Sequence, residues 1–259
     1  MEVRELDDVR DLAEAARLLA RIWGSEPQDV MPVNLMKALA HSQNYVAAAW
    51  DRDRMVGASV AWLWGPERPG TLHSHITGVD PSAQRGGVGL ALKLHQAAWA
   101  RSHGIRTVTW TFDPMVRSNG HFNLVKLGAR AVSYHPDFYG EMRDGINAGE
   151  LSDRCLVEWE VMAEGAAPSG RPRSATVLLS EGADGDPEVS DFPGGIAGAL
   201  LCQVPADSMA LRRARPESAR QWRLALRQTM GEAMAAGYAA TGMTPDGYYV
   251  MERLGRTDP

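Results

Sequence analysis

Two clusters in this sequence carry residue types that chemistry needs. His73 and His75 stand two apart in an apolar run, so on a strand both imidazoles project from the same face. Imidazole, with an ordinary pKa of about 6.5, can take a proton from an amine at neutral pH, directly or through a water. Ser74, between them, faces the other way and reads as structural. Shortly after comes Gln84-Arg85-Gly86-Gly87-Val88-Gly89, which opens a helical segment running to about His103. Glycines let backbone approach an anion, and the first N–H groups of a helix meet it with the positive end of the dipole. The chemistry implied is a pyrophosphate held beside a base. The plainer reading of the pair is two histidines bonded to neighbours in a partly polar sheet.

Two familiar phosphate loops do not fit. After Gly89 the chain reads Leu90-Ala91-Leu92-Lys93, without the Lys-Ser/Thr pair by which a P-loop holds phosphate and magnesium. The dinucleotide fingerprint needs a third glycine where Leu92 stands and an acidic residue about 20 positions on, and Asp113 comes too late.

What the loop resembles is motif A of the GNAT N-acyltransferases, Gln/Arg-x-x-Gly-x-Gly/Ala, through Gln84, Gly87 and Gly89. The flanks resemble the family too: a strand over 71–81 ending in Val79-Asp80-Pro81, a fifth strand over 106–112, and a short helix over 117–126 leading into Leu127-Gly128-Ala129. The resemblance spans residues 1–162. It implies an α+β GNAT fold, with a mixed, largely antiparallel sheet that binds acetyl-CoA or another acyl-CoA. In that reading Gln84, Arg85, Gly86, Gly87, Val88 and Gly89 receive the pyrophosphate, and the Val79 backbone pairs with the pantetheine arm. Lys93 either approaches the 3'-phosphate or is a solvated helix lysine.

The histidines lie eleven and nine residues before motif A, where serotonin N-acetyltransferase carries its paired histidines, so His73 and His75 are the candidate bases. The family's usual thiolate acid, a tyrosine, is replaced here by Leu124; Tyr134, Tyr139 and His121 are nearby groups able to donate. Phrases such as Trp110-Thr111-Phe112-Asp113-Pro114 and Phe138-Tyr139-Gly140 are similar to a subgroup of acetyltransferases. Some of its members accompany racemases acting on N-succinyl amino acids, so a succinyl donor joins acetyl among the short acyl groups implied. The expected activity is direct acyl transfer to a small-molecule amine or amino acid. The alternatives are a CoA-binding sensor without turnover, or another CoA-thioester reaction such as hydrolysis or decarboxylation.

Composition narrows the partners. A net charge of −5 over 259 residues gives no electrostatic support to a nucleic-acid or anionic-membrane partner. The start shows no basic-then-apolar leader, and no stretch approaches ~18 apolar residues, which reads as a cytoplasmic protein. Cys155 and Cys202 are far apart, with no metal-ligand spacing, and read as reduced buried thiols; no metal is expected.

Along the chain, helices are expected near 8–23 and 33–41, and a hairpin from the apolar runs 45–50 and 55–64. Residues 163–174, rich in Pro, Gly and small side chains, read as a linker. Beyond it a smaller C-terminal α/β extension, 175–259, is expected: a strand over 175–179, a loop over 181–195, a strand over 197–204, a long helix over 217–236 and a final strand over 248–251. Arg220, Arg223 and Arg227 line one side of that helix, either to receive a carboxylate or as a solvated or internally paired set. A half-unit of this kind should pack on the first domain or on a second copy, a homodimer being one such arrangement.

Overall fold

The computed structural model describes residues 1–142, 145, 149, 151–162, 172, 174–192 and 198–254, with only the backbone of Arg85. Of the predicted linker, 163–171 and 173 lie outside the described residues, as do 193–195 of the predicted loop, 197 at the start of the predicted strand, and the Arg85 side chain. Two compact units are present. The first takes Met1–Trp110 and two short later stretches; the second takes Thr111–Met142, Gly149–Trp159 and the C-terminal part of the chain.

In the first unit, β1 (Glu2–Glu5) leads to Asp8, whose carboxylate accepts the Arg10 N–H at 2.8 Å and starts α1 (Val9–Trp23). That cap satisfies one of the free amides of the helix. A short α2 (Pro27–Val30) and α3 (Val33–His41) follow, then the antiparallel strands β2 (Tyr45–Asp51), β3 (Arg54–Leu63) and β4 (Thr71–Val79). A 3₁₀ turn over Pro81–Gly86 opens into α4 (Val88–Ser102), and β5 (Thr107–Phe112) returns parallel to β4.

The sheet has two apolar faces because its strands alternate. Val46, Ala48, Ala58 and Val60 meet Leu12, Ala15, Ala16 and Leu19 of α1, while Ala49 and Val56 meet Val88 and Leu92 of α4. Two glycines set how closely these helices approach. A β-carbon on Gly78 would lie 2.7 Å from Trp23 Cζ3, and one on Gly57 would lie 2.9 Å from both Leu92 Cδ1 and Val88 Cγ1.

The second unit starts with α5 (Arg117–Gly120), which continues as a π-helical turn over His121–Lys126 into β6 (Arg130–His135) and β7 (Arg154–Glu160). Next come β8 (Ala175–Glu181), β9 (Pro187–Val189), β10 (Ala199–Gln203), α6 (Ser208–Ala214), α7 (Pro216–Ala235), β11 (Tyr238–Met243) and β12 (Tyr248–Arg253). Their order is β7-β6-β11-β12-β10-β8-β9. Pairing is antiparallel, except that β10 runs parallel to β8. Residues 238–253 therefore join 130–160 in one sheet, through the pair Ala240–Ala131.

Three elements of the C-terminal extension differ from the sequence expectation. β11, Tyr-Ala-Ala-Thr-Gly-Met, was not expected because alanine and glycine disfavour strands; pairing on both sides and burial override that preference. β9 occupies part of the predicted loop, as a three-residue edge strand starting at a proline. α6 was also unexpected, although Asp207 caps it through the Ala210 N–H at 2.8 Å. Among the described residues no helix is long and apolar enough to cross a membrane.

Because α4 rests on Gly57, Gly57→Val should displace Val88 and Leu92 and cost about 1–3 kcal/mol in chemical denaturation. CoA affinity, measured by calorimetry, should fall with it, since the same turn of α4 is moved. Unchanged stability and affinity together would show that this contact positions nothing.

Candidate active site

The site is built where two strands part. β4 pairs with β3 from Leu72 to Val79, but with β5 only at Thr71–Thr107, Leu72–Val108 and His73–Thr109. From Ser74 onward the backbone groups on the β5 side of β4 have no strand to pair with, so residues 74–79 present an open edge. At ~3.3 Å per residue that edge is about 16 Å long.

One end of the edge meets the glycine loop. The Asp80 carboxylate accepts the Ser82 N–H at 2.9 Å and holds the 3₁₀ turn. Gly87, at φ 75°, breaks that turn and starts α4. Of the loop glycines described, Gly87 needs its missing side chain for conformational reasons, because the left-handed region is costly for other residues. No side chain caps α4, and its first internal hydrogen bond is Ala91 N–H to Gly87 O at 3.0 Å. The Val88, Gly89 and Leu90 amides thus have no partner within the helix, an arrangement that fits an anionic group such as a pyrophosphate. Gln84 is exposed beside them.

The other end holds the histidines. β4 carries a bulge: Val60 pairs with Ile76, and Ala61 with Ser74. The extra residue, His75, keeps its ring on the His73 side, 6.4 Å away between centroids. Bulges of this kind re-aim side chains beside sites. Trp64 stands edge-on to His73 at 5.2 Å, Trp62 lies 4.6 Å from His75, and His73 Nδ1 is 3.3 Å from Thr109 Oγ1. Burial, then the nearby His75 and Lys93, push the pKa of His73 down to about 4. His75 is more exposed, and desolvation by its neighbours lowers it too. Both imidazoles are therefore neutral at pH 7.

On the opposite face of β4, Lys93 corrects both readings made of it from sequence. It is 4% exposed, and its ammonium donates to Ser74 Oγ at 2.8 Å and Gln96 Oε1 at 3.2 Å while lying 3.9 Å from the Trp110 ring centroid. Gln96 in turn donates to Ser59 Oγ at 3.3 Å, and Ser59 bonds Thr77 at 2.8 Å. Burial pushes the Lys93 pKa down to about 7. Lysine is neither solvated here nor free to reach a phosphate. A signal existed in the sequence: Lys93 falls at helical spacing with Gln96, Ala97 and Ala100, inside the buried stripe.

Tyr134 and Tyr139 belong to the second unit. The Tyr134 hydroxyl donates to Asp153 Oδ2 at 2.7 Å, and burial followed by the Asp153 charge raises its pKa. Tyr139 is exposed, and its hydroxyl lies 3.0 Å from Thr111 Oγ1. His121 is exposed, and Leu124 is fully buried. The arginine row of α7 is an internally paired set in two of its three members. Arg223 forks onto Asp113 at 3.0 and 2.8 Å, and Arg227 onto Asp153 at 3.0 and 2.7 Å, while Arg220 is exposed. Cys155 and Cys202 are buried free thiols, and among the described residues no group of His, Cys, Asp or Glu forms a metal site.

Residues 6–122 match the family model for the Acetyltransferase (GNAT) family. The chain carries a GNAT acetyltransferase domain. Solved structures with the same fold include a ribosomal-protein-alanine N-acetyltransferase from Brucella melitensis, 12% identical over 62% of this chain and 99% of that one, with a TM-score of 0.53. An N-acetyltransferase from Staphylococcus aureus Mu50 is 14% identical over 62% and 98%, with a TM-score of 0.51. The protein yncA of Salmonella typhimurium, solved with its cofactor acetyl-CoA, is 16% identical over 65% and 97%, with a TM-score of 0.52. No curated protein matches the chain in sequence. The strand, loop and helix of this GNAT domain were legible in the sequence, whereas Lys93, Thr109 and the paired tryptophans as neighbours of the histidines were not.

The buried lysine of the GNAT domain makes a thermodynamic prediction. Its folded pKa, about 7, lies below the ordinary 10.5, so between those values the unfolded chain binds more protons and stability rises with pH; below pH 7 the penalty is fully present. Relative to Lys93→Met, the parent should gain up to about 1.4 kcal/mol per pH unit between pH 7.5 and 9. Parallel stability curves for the two proteins in urea would show that Lys93 does not titrate there.

Proposed function

We propose that this protein is an acyl-CoA-dependent N-acyltransferase that moves an acetyl or other short acyl group, succinyl included, to a small-molecule amine. The observation that carries this reading is the open edge of β4, which joins an uncapped helix start at one end to a neutral histidine pair at the other. Acyl-CoA is the first substrate: its pyrophosphate would be held by the Val88, Gly89 and Leu90 amides with Gln84 beside them. Its pantetheine arm would lie along residues 74–79, Val79 included, and deliver the thioester near His73. Direct attack by the amine then needs a proton acceptor and no covalent enzyme intermediate.

His73 suits that acceptor in a particular way. A base with a pKa of about 4 does not deprotonate a free ammonium. It can take the proton once nitrogen has attacked the carbonyl, when the N–H has become far more acidic. Trp62 and Trp64 flank the imidazoles and would wall an acceptor that is small and that attacks as the neutral amine, since an ammonium has no lone pair to offer. His75 would assist from the bulge.

A second reading, CoA binding without turnover, is favoured by two facts. Leu124 is buried, and Tyr134 is committed to Asp153, so neither supplies a ready proton for a thiolate.

The test is incubation with a panel of acyl-CoA esters and amines, following thiol release and product mass. N-acylated product is expected; free acid with thiol release would mean hydrolysis, and CoA binding with neither would mean a sensor. In the active pairing His73→Ala should lower turnover ~10²-fold with CoA affinity unchanged. The limb of the parent's pH profile that reports this base should lie near pH 4, well below the ordinary histidine range. Turnover within twofold of the parent at every pH would remove His73 from the reaction.

A further inference from the structure

The departing thiolate needs a proton, and the groups around the point where β4 and β5 separate offer a source. Ser74 is the first residue of β4 beyond the last pair with β5, and Trp110 is the first residue of β5 beyond it. Lys93 bridges the two, with its ammonium 2.8 Å from Ser74 Oγ and 3.9 Å from the Trp110 ring centroid. No carboxylate among the described residues pairs with it. Gln96 fixes its third direction. A buried ammonium without a counter-charge is costly to keep, and an apolar side chain of the same length would fill the place at lower cost.

We propose that Lys93 supplies, through the Ser74 hydroxyl, the proton that the CoA sulfur takes as it leaves. The inference rests on the acyl-transfer reading and on the pantetheine arm lying along residues 74–79. As the carbonyl carbon–sulfur bond breaks, its electron pair goes to sulfur. The Ser74 O–H proton passes to sulfur, and a Lys93 N–H proton replaces it on Oγ. Lys93 ends as a neutral amine, while the proton lost by the acceptor nitrogen sits on His73. One positive charge has crossed β4 and none has been created, which suits two groups that disfavour being charged together. After product release His73 returns its proton to water and Lys93 regains one.

The depressed Lys93 pKa of about 7 supports the direction, because such an ammonium is a stronger acid than an ordinary thiol at about 8.5. Other titratable groups facing α4 are Glu5 of β1, bonded to Trp99, and Tyr45 of β2, close to His95. Across β4 stand His73 and His75. Lys93 acts through Ser74 and is a positioning residue; Ser74 is the group that touches sulfur.

The decisive experiment uses CoA itself, so that it does not depend on turnover. The thiol of bound CoA is titrated by its ultraviolet thiolate absorbance in the parent, in Lys93→Met and in Ser74→Ala, with CoA affinity measured alongside by calorimetry. Because the Ser74 hydroxyl, backed by Lys93, donates to the thiolate, the parent should hold the thiol about threefold more ionised, near its midpoint, than either variant, with CoA affinity within twofold in all three. In turnover with the active acyl-CoA and amine, both variants should fall ~10²-fold at pH 6.5, and Lys93→Met should lose the parent's decline above pH 7. Identical thiol titrations in the three proteins overturn the proposal, as does an unchanged pH profile in Lys93→Met. A parent that perturbs the bound thiol yet acylates no amine would instead count against acyl transfer and leave the Lys93–Ser74 assignment standing.

Discussion

The structure of the site depends on β4 leaving β5 after their third and last pair, His73 with Thr109. Backbone N–H and C=O groups buried in a sheet must be paired, and β4 is paired along its whole length on the β3 side. Beyond Thr109 the other side is left for a different partner. The groups of the first unit that would act on a bound acyl-CoA in this reading lie along that edge. The amides of α4 are at one end, the imidazoles at the other on one face, and Lys93 with Ser74 on the opposite face. The approach that makes this possible is set by Gly57 and Gly78, where side chains would push α4 and α1 off the sheet.

A second constraint is electrostatic. His73 and Lys93 sit on opposite faces of the same strand, both desolvated, and the charge of one depresses the pKa of the other. At neutral pH the positive charge that the pair holds sits on the lysine side, because His73 is the weaker base. A reaction that takes a proton in on one face of β4 and gives one out on the other moves that charge without adding to it. Burial matters as much as proximity here, because the same groups in water would interact weakly.

Much of the first unit was legible because its signals are local. Apolar runs split by a polar turn pointed to β2 and β3, the flank before the glycine loop to β4, and the glycines with the helix that follows to a candidate anion site. What was not legible depends on partners distant in sequence. Lys93 looks like an ordinary helix lysine until Ser74 and Trp110 are seen beside it. The arginines of α7 gave two readings, and only the positions of Asp113 and Asp153 separate them for Arg223 and Arg227. β11 was missed because alanine and glycine become a strand only when β6 and β12 flank them, a tertiary effect that overrides local preference.

The central claim is that acyl-CoA docks along the open edge of β4 from the start of α4. Amide hydrogen exchange with and without CoA measures this directly, since a new hydrogen-bonded partner slows the amides it covers. The account predicts slowed exchange within residues 74–79 and at Val88, Gly89 and Leu90 on CoA binding. Binding that leaves those amides unchanged and protects another part of the chain would contradict it.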